Sequence, residues 1–375
     1  MKALKDPALA GAARRLTETI RRSGDRLARA GRTVRIMEVC GTHTMAIARS
    51  GVRQLLPEGV ILTSGPGCPV CVTGPGYIDA ALELAGRGVV IVTFGDLIRV
   101  PGSGWNLAEA RARGADIRVC YSPMEALRLA QSLPEREVVF LAIGFETTAA
   151  PIAAMLDLTV RAGVGNLSLL TAFKRVPPAL AALITDPRIN IDAFLCPGHV
   201  SAIIGADAYR FVAEGHHLPC VVAGFEPLDI LLAIDGLLSQ CIDGRTRVDN
   251  QYQRVVRPAG NLTSLALMER YLQPVQADWR GMGSIPDSGL GLRADFSAFD
   301  AGLRFALTVP PGTLHPDCQC GEVLMGVITP PECRLFRRGC HPDHPIGPCM
   351  VSSEGSCAAW FHYEQPGGRG ETDHG

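Results

Sequence analysis

The sequence predicts an α/β protein with two doubly wound parallel-sheet domains and a small cysteine-rich iron–sulfur domain. Apolar, β-branched segments recur along the chain, and each is followed by a turn containing Gly or Pro and by an Ala/Leu-rich helical segment, which is typical of parallel sheets covered on both faces. Cysteines then cluster near the C-terminus, after this alternation has ended, and predict the small domain. At 375 residues the chain is long enough for two or three domains.

The individual elements can be predicted in order along the chain. Residues 1–32 contain an amphipathic, Arg-rich helix, whose apolar residues fall roughly on one face between positions 7 and 30. Each of the following strands is a short apolar run that ends in a turn. These strands are predicted at 33–39, 60–65, 89–94, 117–122, 138–144, 167–173, 192–198 and 220–225.

The strands divide into two α/β domains more readily than they fit one. We place the first domain, which carries a candidate thiol site, at 33–150 and the second at 151–273. The alternation stops at 274, where glycines and short apolar runs predict an irregular linker. Residues 274–375 are therefore predicted as this linker followed by the cysteine-rich domain, whose low apolar content calls for a stabilising metal group.

The charge balance excludes two classes of partner. With 36 Lys+Arg against 37 Asp+Glu the net charge is −1, so no strong field attracts nucleic acid or an anionic membrane. The N-terminus lacks the apolar core of a secretory signal, and no apolar run reaches membrane-spanning length. We expect a cytoplasmic protein, whose 13 cysteines bind metal or carry out redox chemistry rather than form structural disulfides.

The spacing of the C-terminal cysteines favours an iron–sulfur cluster. Such a cluster needs four soft thiolate ligands on a chain that can loop between them. A zinc site is the alternative, although this tail has no Cys-x-x-Cys knuckle of the kind usual for zinc, and free thiols are a further one. Cys318 or Cys349 could replace a ligand. The predicted ligands are Cys320, Cys333, Cys340 and Cys357.

A second group of thiols follows the first two predicted strands. Cys40 opens the turn Cys-Gly-Thr-His-Thr, in which His43 lies three residues on, and Cys68 and Cys71 form a Cys-x-x-Cys pair. Such a pair supports disulfide exchange or metal binding. Because the carboxyl ends of parallel strands share one edge, the three thiols are expected to converge, with a helix N-terminus stabilising the Cys40 thiolate. The alternative is three unrelated thiols in turns.

Three polar residues end other predicted strands and are further candidates for the site. Each has a structural alternative: Asp96 as a helix cap, Glu146 as the ion-pair partner of an arginine, and His199 as a hydrogen-bonded structural histidine. The sequence contains no phosphate-binding loop, no dinucleotide-binding glycine motif after the first strand and no Gly-x-Ser-x-Gly elbow. Chemistry based on thiols and metal is therefore the best-supported class.

Several blocks of the sequence resemble the HypD family of hydrogenase maturation factors. They occur in order over nearly the whole chain, from about residue 33 to 363, and several are not general fold motifs. The cysteine blocks show no departure from the family pattern. The blocks are CGTHT (40–44), GPGCPVC (65–71), TFGDLIRVPGS (93–103), GFETTAAP (144–151), PGHVSAIIG (197–205) and IGPCMVSSEGSCAAW (346–360).

The resemblance implies a role in building the Fe(CN)2CO group of [NiFe]-hydrogenases before its delivery to the hydrogenase large subunit. It also implies two partners, the small chaperone HypC and the cyanide-transferring protein HypE. In this family pattern Cys40 holds the iron, His43 is an essential neighbour, and Cys68 and Cys71 are a redox-active or iron-binding pair. The [4Fe-4S] cluster of the family falls on Cys320, Cys333, Cys340 and Cys357.

We therefore predict a scaffold on which Fe(CN)2CO is assembled, with thiol and cluster redox chemistry rather than the turnover of an ordinary enzyme. Low-spin iron with cyanide and carbon monoxide ligands is suited to thiolate ligands, which Cys40 would supply. The alternative function is a cluster-dependent thiol–disulfide reductase acting on a protein disulfide, which would not need Cys40 or His43. A third is a zinc-stapled interaction scaffold without redox chemistry.

Overall fold

The computed structural model describes residues 7–308, 312–313 and 315–364, and within them it confirms the predicted α/β class. The strands are β1 (Val34–Glu38), β2 (Val60–Ser64), β3 (Val90–Phe94), β4 (Ile117–Cys120), β5 (Val138–Gly144), β6 (Leu167–Lys174), β7 (Ala193–Pro197), β8 (Cys220–Ala223), β9 (Val248–Asn250), β10 (Leu272–Trp279) and β11 (Gly283–Leu292). The helices are α1 (Pro7–Arg29), α2 (Gly41–Ser50), α3 (Pro69–Val72), α4 (Gly76–Gly86), α5 (Leu107–Ala112), α6 (Pro123–Ser132), α7 (Glu146–Arg161), α8 (Val176–Thr185), α9 (Gly198–Ile204), α10 (Pro227–Asp243), α11 (Leu262–Tyr271), α12 (Ala301–Arg304), α13 (Cys320–Leu324), α14 (Pro348–Val351) and α15 (Ser356–Tyr363).

The first sheet has the strand order β2-β1-β7-β8-β9, and all its pairings are parallel. Strands β1, β7 and β8 are almost entirely buried, as expected for parallel strands covered by helices on both faces. The predicted N-terminal helix is present as α1, which packs against α10 on this sheet. The carboxyl ends of β1, β2 and β7 lie side by side and hold several candidate residues.

The second sheet has the order β10-β11-β6-β5-β3-β4 and combines two kinds of pairing. Strands β6, β5, β3 and β4 are parallel, whereas β10 and β11 form an antiparallel hairpin whose second strand pairs with β6. Every residue of β5 is buried at the centre of the sheet. This sheet therefore carries its own core, between helices such as α6 and α7.

The two sheets are not formed by consecutive parts of the chain. The predicted units 33–150 and 151–273 each contribute strands to both sheets, because β1 and β2 pair with β7–β9, whereas β3–β5 pair with β6. The chain consequently passes between the sheets three times. Local sequence patterns identified the strands but carried no information on which strands would pair.

The structure corrects the expectation that the chain becomes irregular at 274. Residues 272–292 form the hairpin β10–β11, which extends the second sheet at its edge. Pro274 is tolerated there because an edge strand leaves some backbone groups unpaired. The signal that was missed is the alternation in β10, where Val275 and Ala277 are partly buried while Gln276 and Asp278 are exposed.

The cysteine-rich segment shares a continuous apolar core with the rest of the protein. One core cluster contains Cys68 and Cys71, Trp279 of the hairpin and buried residues of the C-terminal segment, including Cys349 and Met350. Helix α15 also packs on α2. Just after the ends of these two helices, Arg53 forms an ion pair with Glu364 (2.9 Å). The C-terminal segment is thereby held against the carboxyl edge of the first sheet.

Candidate functional site

Cys40 lies at the carboxyl end of β1 and is the N-cap residue of α2. Its side chain is buried, and its backbone N–H donates to Glu38 Oε2 over 3.1 Å. The other carboxyl oxygen of Glu38 accepts a 2.6 Å hydrogen bond from Thr44 Oγ1, one turn into the helix. A fully buried carboxyl group therefore fixes the start of α2 and, with it, the position of the Cys40 sulfur.

Cys68 and Cys71 lie in the turn after β2, at the start and within the short helix α3, and are joined by a disulfide. Both are buried, and the Cys71 N–H donates to Cys68 Sγ over 3.1 Å. This turn lies directly on the Cys40 turn, since the Gly41 N–H donates to Gly67 O over 2.8 Å. The structure thus places the disulfide beside Cys40 at one edge of the first sheet.

Gly67 is needed for the close contact between these two turns, because a Cβ atom there would overlap the backbone N, Cα and C atoms of Cys40. We expect Gly67→Ala to lower the free energy of unfolding by about 1–3 kcal/mol through overpacking. Gly86→Ala is the matched control, since a Cβ at Gly86 has no neighbour within 4 Å. Chemical denaturation measures both variants; equal stabilities would contradict the prediction.

The Cys40 sulfur is held as a thiol, which corrects the expectation of a stabilised thiolate. Burial, together with the nearby carboxyl groups of Glu354 and Glu38, raises the pKa of Cys40 to about 12. The backbone amides of His43 and Thr42 at the helix start act in the opposite direction but do not outweigh desolvation. A metal ion bound at this sulfur would have to displace the proton.

His43 is completely buried and its geometry defines its tautomer. Nε2 lies 2.9 Å from Gly224 O, and because a carbonyl oxygen only accepts, Nε2 must carry the proton. Burial lowers the pKa of His43 to about 4, so the ring is neutral at pH 7. Its Nδ1 is therefore a bare lone pair, and among the described residues it has no hydrogen-bond partner. Such a nitrogen can accept a proton or bind a metal.

His199 follows β7 of the first sheet, and Asp96 follows β3 of the second sheet. The His199 ring, near the start of α9, packs on Phe225 with ring centroids 4.0 Å apart, and Phe225 also contacts His43 at 4.7 Å. Desolvation lowers the pKa of His199. Asp96 lies in a short 3-10 turn after β3, where its carboxylate accepts a long 3.5 Å hydrogen bond from Ser353. The Phe225 ring thus contacts the rings of both His199 and His43.

Glu146 belongs to the second sheet and not to the thiol turns. It begins α7 after β5, and its Oε1 accepts a 3.0 Å hydrogen bond from the Val176 N–H. Its Oε2 is buried and has no hydrogen-bond partner among the residues described. Burial raises the pKa of Glu146 to about 7. In the part of the chain seen here, no hydrogen bond or ion pair connects Glu146 with Cys40, Cys68 or Cys71.

The raised pKa of Glu146 predicts a stability change with pH. Between 4.5 and about 7 the folded state binds more protons at this group than the unfolded state, so the free energy of unfolding falls as pH rises through that window. Glu146→Gln should remove a decrease on the order of 3 kcal/mol and give a flatter profile. Denaturation at several pH values tests this, with the exposed Glu214→Gln as control. Parallel profiles of wild type and Glu146→Gln would contradict it.

Six cysteines surround one cavity in the C-terminal segment. The thiols of Cys318 and Cys349 hydrogen-bond to Cys320, and these bonds lower the pKa of Cys320. Leu335, Phe336 and Met350 form the apolar part of the wall. Among the described residues no three His, Cys, Asp or Glu side chains are grouped as ligands of a single metal ion. The cysteines that line the cavity are Cys318, Cys320, Cys333, Cys340, Cys349 and Cys357.

The loop 352–355 connects this cavity to the turns of Cys40 and Cys68–Cys71; it belongs to a block of the family resemblance, but no role was predicted for its residues. It lies between two cavity cysteines, Cys349 and Cys357. Its Glu354 accepts a 2.7 Å hydrogen bond from Thr42 Oγ1, and its buried Ser352 Oγ lies 3.3 Å from Cys68 Sγ. One loop therefore contacts both the Cys40 helix and the disulfide, and these contacts become visible only in three dimensions.

The fold and the two thiol groups define a cysteine-rich α/β protein with adjacent places for soft metal ligands and for disulfide chemistry. A family model described as "Hydrogenase formation hypA family", under the name HypD, matches residues 12–364. The chain belongs to this HypD family of hydrogenase maturation factors.

Curated relatives agree with this assignment over most of their length. The chain is 47% identical to the hydrogenase maturation factor HypD of Azotobacter vinelandii, covering 88% of this chain and 90% of the relative. It is 47% identical to that of Escherichia coli (strain K12), covering 90% and 91%, and 45% identical to that of Rhizobium leguminosarum bv. viciae, covering 93% of each. No helix in the described ranges has the length and hydropathy needed to cross a membrane.

Proposed function

We propose that this protein is the scaffold on which the Fe(CN)2CO group of a [NiFe]-hydrogenase is assembled before transfer to the large subunit. In this proposal Cys40 anchors the iron, with His43 beside it, and the Cys68–Cys71 pair supplies redox equivalents. The partners are the small chaperone HypC and the cyanide-transferring HypE, both implied by the resemblance. The iron and its diatomic ligands are the cargo of the protein.

The observation that carries the proposal is the contact between the two thiol groups. The Cys40 turn, the Cys68–Cys71 disulfide and the six-cysteine cavity all meet at the loop 352–355. A scaffold for a low-potential iron group needs an anchoring sulfur, a source of electrons and shielding from water. Burial of Cys40, Cys68 and Cys71 supplies the shielding.

The six-cysteine cavity is the place where this proposal puts a [4Fe-4S] cluster, with zinc as the alternative. Its lining supplies six soft sulfur ligands in an otherwise apolar wall, which suits a cluster held by four thiolates. When bound, such a cluster supplies single electrons. We propose that Cys320, Cys333, Cys340 and Cys357 hold it, with Cys318 and Cys349 as neighbours.

The redox part of the proposal balances at the disulfide. Breaking the Cys68–Cys71 bond consumes two electrons and two protons and leaves two thiols. The electrons come from a one-electron donor protein of low potential, and the protons come from solvent. Ser352, whose hydroxyl lies 3.3 Å from Cys68 Sγ, can donate a hydrogen bond to the sulfur as charge develops on it. The resulting thiols then face the Cys40 turn.

Maturation of a hydrogenase tests the proposed function. The protein is expressed with the other maturation proteins and the large subunit in a host lacking its own HypD-family protein. We expect a large subunit that contains iron with cyanide and carbon monoxide ligands, detected by infrared spectroscopy, and active hydrogenase. A large subunit without these bands, despite normal amounts of this protein, would contradict the proposal.

The reductase function remains the second candidate, because the structure contains a Cys-x-x-Cys disulfide beside the cysteine cavity. A reductase would turn over a protein disulfide and would not depend on Cys40. Turnover by a Cys40→Ser variant at the wild-type rate would favour it. Zinc without iron in protein purified under strict anaerobiosis would contradict both redox functions.

A further inference from the structure

Arg280 lies between the disulfide turn and the cysteine cavity, in the turn of the β10–β11 hairpin that the sequence did not predict. Its Nε donates to Cys71 O over 2.8 Å and its Nη2 to Thr73 O over 2.7 Å. Its own backbone N–H donates to Val72 O over 2.7 Å. The guanidinium group therefore clamps the carboxyl end of α3, immediately after the second cysteine of the pair.

The other side of the same turn lies on the cavity. A Cβ atom at Gly281 would be 2.6 Å from Gly321 O, so the two backbones are in direct contact. Gly321 follows the cavity residue Cys320, and Gly281 has a φ of +86°, which favours glycine. The hairpin turn thus lies between α3, which contains Cys71 of the disulfide, and α13, the first helix of the cysteine cavity.

Among the described residues, Arg280 has no carboxylate as a counterion. The residue is only 8% exposed, its side-chain partners are neutral carbonyl oxygens, and no carboxylate of the described residues forms an ion pair with it. A buried cation without an anionic partner is costly, which indicates that negative charge belongs nearby in the functional state. The turn that carries Arg280 is in contact with Gly321, directly beside the cavity residue Cys320. The cavity is therefore the natural place for that negative charge.

We propose that Arg280 is the counterion of an anionic iron–sulfur cluster in the six-cysteine cavity and a positioning residue for the Cys68–Cys71 disulfide. This inference rests on the proposed function. The positive charge stabilises the added electron when the cluster is reduced, while the two hydrogen bonds hold α3 against the cavity. A guanidinium group does both, since its planar fork reaches two carbonyl groups and keeps its charge when buried.

The reduction potential of the cluster tests this role. Arg280→Gln removes the charge, whereas Arg280→Lys keeps it and loses the fork. In anaerobic titrations followed by electron paramagnetic resonance, we expect Arg280→Gln to lower the equilibrium constant for one-electron reduction about tenfold, or ~59 mV, and Arg280→Lys to remain close to wild type. Loss of the cluster in Arg280→Gln but not in Arg280→Lys would equally support the counterion role.

The control is Arg188→Gln, which removes an equal charge at an exposed site where Arg188 contacts Met325 of the cysteine-rich segment over 3.4 Å. The reduction potential of the cluster in Arg188→Gln should equal that in the wild type. A wild-type potential in Arg280→Gln with full iron content, or loss of iron in both Arg280 variants, would overturn the proposal. Failure of the proposed function is a separate result, because the wild-type protein itself would then contain no cluster iron.

Discussion

A Cys340→Ser variant, purified without oxygen, is expected to contain at least roughly tenfold less iron per chain than the wild type. The same loss is expected in Cys320→Ser, Cys333→Ser and Cys357→Ser. All four residues line one cavity, and serine is a poor ligand for iron in a cluster. Because a cluster with three thiolates is held less tightly, the loss should affect sulfide as well as iron. Iron and acid-labile sulfide per chain, with visible absorption spectra, measure the result.

The two remaining cavity cysteines provide the matched controls. Cys349 is completely buried, and its thiol is hydrogen-bonded to neighbouring cysteine side chains. Cys318 is partly exposed. Cys318→Ser and Cys349→Ser should retain most of the iron. Retention by Cys340→Ser with loss by Cys349→Ser would mean that the ligand set inferred from the family pattern is incorrect, although a cluster is present.

The loss of iron should also destabilise the protein locally. The cavity helices α13 and α14 contain only a few residues each, and the sulfurs are buried in the core shared with the thiol turns. A short helix of this kind is marginal without tertiary or metal contacts. Amide hydrogen exchange of residues 318–357 should therefore speed up in Cys340→Ser while the second sheet stays protected.

The sequence was sufficient to predict the strands of the parallel sheets but not the pairing between them. The eight predicted strands are all present because buried parallel strands are continuous apolar runs, a local property. The short strand β9 and the hairpin β10–β11 were missed, since β9 has three residues and the hairpin lies at an edge with half its side chains polar. Pairing depends on long-range packing, which no local pattern encodes.

The candidate site was predictable to a similar extent. The topology rule for parallel strands accounts for the approach of Cys40 to the Cys68–Cys71 turn. Arg280 and Glu354 could not be found this way, because their contacts join residues more than 200 positions apart. The state of the Cys40 sulfur was also predicted wrongly, since helix-end stabilisation is small compared with the desolvation of a buried thiolate.

A Cys40→Ala variant should lose the iron that carries cyanide and carbon monoxide but keep the cluster. We expect infrared bands of cyanide and carbon monoxide on iron to fall roughly tenfold or more in the anaerobically purified complex with the small partner, because the iron would lose its anchoring sulfur. The iron and sulfide content of the cluster should stay at the wild-type level, since Cys40 does not line the six-cysteine cavity. Both quantities are measured on the same preparation.

Cys120→Ala is the matched control for this prediction. Cys120 is equally buried but ends β4 in the second sheet, so removing its sulfur leaves a comparable small void without touching the thiol turns. Full band intensity in Cys40→Ala would exclude an anchoring role. Loss in both variants would attribute the effect to destabilisation of the fold. Loss in Cys40→Ala alone, with the cluster intact, would support binding of the iron at the end of β1, where the Cys40 turn contacts the disulfide turn.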